Sequence, residues 1–174
     1  MKSIDIAKDL SSSTVRCIKK KIKYNLVRYN IVDDNMYSKI IQTPFTIIPY
    51  LCVPDKYKKK TFKTKLSGDK FIEQSFVLKE NECIVVGSVG EIYNVKLEKQ
   101  FISVTKSVYV PIREVRSCIQ IDKTIYDKYV VKERIPTSWG AKHFCKVGDY
   151  LIVQSDGVYR VQKNVFDKTY KILK

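Results

Sequence analysis

His143 and Cys145 stand two residues apart, a spacing that puts both side chains on one face of a strand. An imidazole beside a thiol is the smallest pairing able to generate a nucleophile. Such a pair also needs a third group to orient the base and a pocket for the substrate. The single histidine of the chain has no Ser-Asp constellation near it in sequence, so it reads as a surface histidine. The carboxylates Asp33, Asp34, Asp122 and Asp127 lie in separate contexts, and no spacing fixes them as an acid-base or metal pair. Cys17, Cys52, Cys83, Cys118 and Cys145 are all more than 25 residues apart, with no Cys-x-x-Cys, which excludes the usual structural zinc patterns. Phosphate-loop, dinucleotide and His-Glu-x-x-His motifs are absent as well. The residues predict no catalytic centre, no metal site and no cofactor.

The chemistry in abundance is positive charge. The 174 residues carry 33 Lys and Arg against 18 Asp and Glu, a net charge of +15. Residues 1–70 hold 16 basic and 6 acidic side chains, residues 71–174 hold 17 and 12, so the excess is weighted to the N-terminal part. A surplus of this size suits a polyanionic partner, whose phosphates it neutralises with release of counterions. A lysine-heavy, Ile- and Asn-rich composition also follows from codon bias, and that reading stays open. Three groups stand out. Arg16, Lys19, Lys20, Lys21 and Lys23 line one stretch. Lys56, Lys58, Lys59, Lys60, Lys63 and Lys65 interleave with Tyr57 and Phe62, a pattern that pairs phosphates while a ring stacks on a base, or that guards an exposed sheet edge. The only tryptophan, Trp139, precedes Lys142 and Lys146; exposed it would stack a base or anchor a partner, and the average behaviour of tryptophan favours burial.

The elements that must carry these groups are read from periodicity. Ser13 or Thr14 caps a predicted helix with Val15, Ile18, Ile22 and Leu26 on its apolar face and the first basic group outward. From Thr43 to Val53, Pro44 and Pro49 break a β-like run into an edge strand and loop. Glu82–Val95 with Phe101 repeats as Asp149–Val161 with Phe166: an acidic residue, an apolar run, a Ser-and-Gly turn and a second strand bearing Tyr93 or Tyr159. In this alignment Gly90 and Gly157 take corresponding turns. The fold class expected is α+β, predominantly antiparallel β. Residues 1–42 form a basic N-terminal helical region, and 43–110 and 111–174 form two related β-rich units.

Gly148-Asp149-Tyr150, Asp156-Gly157, Tyr159, Phe166, Thr169 and Tyr170 have a further value. Over residues 147–173 this pattern resembles a short domain of phage-encoded and some bacterial proteins, with a Gly-Asp-Tyr start, a hairpin and a terminal Phe-x-x-Thr-Tyr. The resemblance implies a small β unit and viral or phage-like origin, and it carries no assigned activity. Val147 departs from the pattern where proline is frequent.

These readings lead to a non-enzymatic nucleic-acid-binding protein, for RNA or single strands. Its contacts would be Arg16, Lys19, Lys20, Lys21, Lys23, Tyr57, Lys58, Lys59, Lys60, Lys63, Trp139, Lys142 and Lys146. The alternative is a viral or phage module that docks on a host or virus-encoded protein. The odd cysteine count, the lack of an apolar N-terminal signal and the absence of any run of about 20 apolar residues lead to an intracellular expectation without a membrane partner, in the host cytoplasm if the gene is viral.

Overall fold

The computed structural model describes residues 1–72 and 74–174, apart from the side chain of Gln74. The chain opens with α1 (Ser3–Leu10), a 3₁₀ turn, β1 (Val15–Lys19), β2 (Tyr24–Leu26), α2 (Asp34–Ile40) and β3 (Thr46–Pro49). A second 3₁₀ turn leads to α3 (Asp55–Lys58), β4 (Thr61–Thr64), β5 (Gln74–Val77), β6 (Cys83–Val86), β7 (Ile92–Val95), α4 (Leu97–Gln100) and β8 (Phe101–Ser103). Then come β9 (Val108–Pro111), β10 (Arg116–Gln120), α5 (Lys123–Tyr129), β11 (Arg134–Pro136) and β12 (Lys142–Phe144). The chain closes with β13 (Tyr150–Gln154), β14 (Gly157–Val161), α6 (Lys163–Thr169) and β15 (Tyr170–Ile172). The fold is α+β and mainly antiparallel; among the described residues only β2 and β3 pair in parallel.

Two compact units result. The first gathers Met1–Lys20, Asp69–Phe71 and Arg113–Lys174, the second Lys21–Gly68 and Ile72–Ile112. The stretch 1–42 therefore gives α1 and β1 to the first unit, and β2 and α2 to the second.

In the first unit the strands run β14-β13-β10-β1-β15. Tyr150 to Val153 is a solid apolar run because both faces of the sheet are covered. Leu151, Val153 and Val158 pack with Ile6, Ala7 and Leu10 of α1, while Cys17, Cys118 and Ile152 cluster on the opposite face with Phe166 of α6. Tyr150, Phe166 and Tyr170 stack in series, with centroids 3.7 and 5.0 Å apart. Ser3, at the start of α1, ties the helix to the sheet edge: its Oγ accepts from the Val158 N–H at 2.7 Å.

The second unit orders its strands β7-β6-β3-β2-β9-β8, with β4 and β5 as a separate ribbon. Ile47, Cys83 and Val85 face one cluster, and Ile48 and Ile84 the other. The two units share internal registers. Ile47 lies opposite Val85 and Val85 opposite Tyr93; Cys118 lies opposite Ile152 and Ile152 opposite Tyr159. The turn before each hairpin also matches: Glu82 accepts from the Lys79 N–H and Asn94 Nδ2, and Asp149 accepts from the Lys146 N–H and Arg160 Nε.

Four expectations are corrected. Residues 15–19 and 24–26 are strands, not one helix over 13–26. Cys17, outside the proposed apolar stripe, is fully buried, whereas Val15 is 47% exposed. Pairing with β10 and β15 satisfies both backbone edges of β1, and tertiary pairing overrides the fortuitous 3.6 period. The helix lies upstream in α1, where Ser3, Ile6, Ala7 and Leu10 form the buried stripe. The strand at 46–49 is interior, flanked by β2 and β6, because Pro44 precedes it and Pro49 falls on its last residue. Gly90 and Gly157 do not correspond: Gly87 bonds to Glu91 across a three-residue loop and Gln154 pairs with Gly157 across two residues, so the counterpart of Gly157 is Glu91. Phe101 opens β8 as Tyr170 opens β15, whereas Phe166 lies within α6.

Candidate nucleic-acid interface

Of the thirteen residues singled out, the first unit holds Arg16, Lys19, Lys20, Trp139, Lys142 and Lys146, and the second holds the other seven. Arg16 is exposed on β1. Lys19 is half-buried, and burial, reinforced by the nearby Arg116 guanidinium, holds its ammonium below the usual lysine range. Lys20 Nζ donates to the Asp167 carbonyl at 2.6 Å. Lys146 is half-buried behind its turn. Lys21 and Lys23 are exposed just before β2.

The lysine cluster of the second unit is partly spent on its own structure. Lys56 and the Tyr57 hydroxyl both bind Asp34, which lowers that carboxyl's pKa through the Lys56 and then the Tyr57 hydrogen bond. Tyr57 is stacked on Tyr37 at 3.9 Å, with the ammoniums of Lys56 and Lys60 each 5.3 Å from its ring. Lys58 pairs with Asp55 at 2.9 Å and lies over Tyr50. Lys59, Lys60, Lys63 and Lys65 remain exposed without a carboxylate partner among the described residues. Lys63 lies on β4 and Lys65 follows its end.

A further basic group of the first unit lies on the β11–β12 ribbon. Arg134 pairs with Phe144, and Pro136 with Lys142, in register. Trp139, at the turn, is 59% exposed, which corrects the expectation of burial. Gly140 takes the left-handed backbone that the turn requires (φ +90°), and the indole meets the rings of His143 at 5.2 Å and Tyr159 at 5.8 Å. The Arg134 guanidinium lies 4.0 Å over the ring of Phe71. Phe71, Val131, Lys132, Arg134 and Lys142 line an open pocket of about 300 Å³. Lys132, Arg134 and Phe71 escaped notice in the sequence because Lys132-Glu133 lacks turn residues, yet Val131 and Arg134 exchange both backbone hydrogen bonds at 3.0 Å around it.

His143 is buried, not on the surface, at 8% exposure, and its Nδ1 has no hydrogen-bond partner in the described structure. Burial, helped by the Arg160 guanidinium and opposed by Asp69, lowers its pKa to about 4. Cys145 follows the end of β12 and is fully buried, and burial pushes its thiol up to about 12, so it stays protonated. Behind this layer Arg160 is clamped. Its Nη1 and Nη2 donate to the two oxygens of Asp69 at 2.7 and 2.8 Å, and Nε donates to Asp149 at 2.9 Å. Asp33 and Asp122 are helix N-caps, accepting from the Met36 and Ile125 N–H groups, and Asp127 pairs with Lys123. Among the described residues no group of three or more His, Cys, Asp or Glu could hold a metal ion, and no helix is long and apolar enough to cross a membrane. No family model, curated protein or solved structure matches this chain.

Proposed function

We propose that this chain is a non-enzymatic nucleic-acid-binding protein that takes RNA or single strands. The observation that carries the reading is the β11–β12 ribbon, where an exposed indole stands on the same short ribbon as two cations, Arg134 and Lys142, that form no ion pair among the described residues. A base stacks on Trp139 and the flanking phosphates meet Lys142 and Arg134. Base–aromatic stacking contributes about 1–3 kcal/mol per base and tolerates any sequence, and lysine contacts supply the salt-dependent remainder. Lys59, Lys60, Lys63 and Lys65 supply a second basic stretch on the other unit. The phage-like pattern over residues 147–173 supports a viral or phage origin.

The test is anisotropy with labelled single-stranded RNA and DNA of mixed sequence at 50 mM salt. Trp139→Ala is expected to weaken binding about tenfold and Lys142→Glu by a similar factor. Undetectable binding by the unaltered protein ends the proposal.

One observation favours the second reading, docking on a virus-encoded or host protein. A groove of about 560 Å³ in the first unit is rimmed by Val15, Val147 and Ile172, all exposed. Partners recovered from infected cells that survive nuclease treatment support docking, and partners that vanish support nucleic acid.

A further inference from the structure

We infer that the cavity between Phe71 and the β11 end of the ribbon is a phosphate-monoester pocket, which receives the phosphorylated end of a strand. This assignment rests on the nucleic-acid reading and specifies which part of the ligand the first unit selects.

Three cationic side chains, Lys132, Arg134 and Lys142, line a space of about 300 Å³ together with Phe71 and Val131. The Arg134 guanidinium carbon lies 4.0 Å from the centroid of the Phe71 ring, a cation–π contact that holds the side chain at the pocket. No ion pair to Arg134, Lys132 or Lys142 occurs among the described residues. The nearest acid in sequence, Glu133, is drawn off by Lys70 at 2.7 Å, a bond that raises the Lys70 pKa. Among the described residues the three charges therefore line the pocket without a carboxylate partner.

The backbone at the rim is strained in a way that serves this arrangement. Lys132 (φ 51°) and Glu133 (φ 63°) are both left-handed, as a two-residue type I′ turn demands. Asn-Gly adopts that turn freely, whereas Lys and Glu each cost about 1–2 kcal/mol there. What the costlier residues provide is a cation at the cavity mouth and a carboxylate directed to Lys70.

Charge and shape then choose the ligand. A monoester brings about −1.5 to −2 charges on three free oxygens at neutral pH. A phosphodiester within a strand brings one charge on two free oxygens and a nucleoside on either side. Three cations around one open pocket match the former, and a bidentate Arg contact would strengthen it.

Three twelve-nucleotide single strands of identical sequence, carrying a 5′-phosphate, a 3′-phosphate or hydroxyls at both ends, test the pocket, each labelled away from the end compared. One phosphorylated strand is expected to bind at least tenfold more tightly than the hydroxyl strand, and which one identifies the end received. In Lys132→Gln/Lys142→Gln, where both exposed side chains leave the core untouched, that preference is expected to fall below twofold. Equal binding of all three strands by the unaltered protein overturns the pocket and leaves the nucleic-acid reading standing. A preference that survives the double substitution also overturns it. Binding of none of the strands overturns both readings. Inorganic phosphate, followed by amide NMR, is an independent arm: shifts confined to Val131–Arg134 and Lys142 support the pocket, and their absence at 20-fold excess contradicts it.

Discussion

A neutral imidazole packed between Trp139 and the Arg160 layer makes stability depend on pH at a single residue. The His143 pKa is near 4 when folded and about 6.5 when unfolded, so the unfolded chain binds the proton more readily. Its contribution is complete above pH 6.5 and is lost as pH falls toward 4, an effect on the order of 3 kcal/mol. Urea midpoints of the unaltered protein should drop across that window, and His143→Phe should flatten the drop. Gly157 offers a second test. Its φ is +146°, and a Cβ there would lie 2.6 Å from Ser3 Oγ and 2.9 Å from the Ser138 backbone. Gly157→Ala is therefore expected to cost about 3 kcal/mol, read as a lower thermal midpoint. The turn role of Gly157 was legible from Asp156-Gly157. The exchange of burial between Trp139 and His143 was not, because average burial describes residue types and not the ribbon turn that holds this indole outward.

At the scale of elements, apolar run and turn were the readable signals. Both hairpins were marked by a four-residue apolar run with Gly beyond it, and both formed. The helix proposed over 13–26 failed because an interior strand is decided by its partners β10 and β15, which lie about 100 or more residues downstream. The pocket-forming turn was hidden for the opposite reason, as its residues contradict their own conformation. Lys132→Asn/Glu133→Gly should relieve that conflict at both residues and raise stability by about 2–4 kcal/mol in urea unfolding, while phosphate-end preference is lost. A gain in stability with the preference unchanged would detach Lys132 from the pocket.

At the scale of the molecule, α+β class and the hairpin pair were legible, whereas the interleaving of Asp69–Phe71 with residues 113–174 was not, since no local pattern announces where a buried Asp will find its Arg. That clamp predicts that Asp69→Ala, which removes the bidentate partner of Arg160 and leaves it Asp149 alone, lowers unfolding stability by about 3 kcal/mol. The basic surplus, by contrast, was plain in composition, and what the fold adds is its sorting into paired lysines such as Lys56 and Lys58 and ones such as Lys142 that have no ion pair among the described residues. The central claim is that a strand stacks on Trp139 while cations hold its phosphates, and the lone tryptophan reports on both at once. Titrating single-stranded oligonucleotide into the protein and following tryptophan emission between 50 and 200 mM salt tests it most directly. The account predicts saturable quenching whose midpoint weakens by one to two orders of magnitude over that range, the salt slope of about three or four phosphate contacts. Emission that does not change on titration, or a midpoint indifferent to salt, would contradict it.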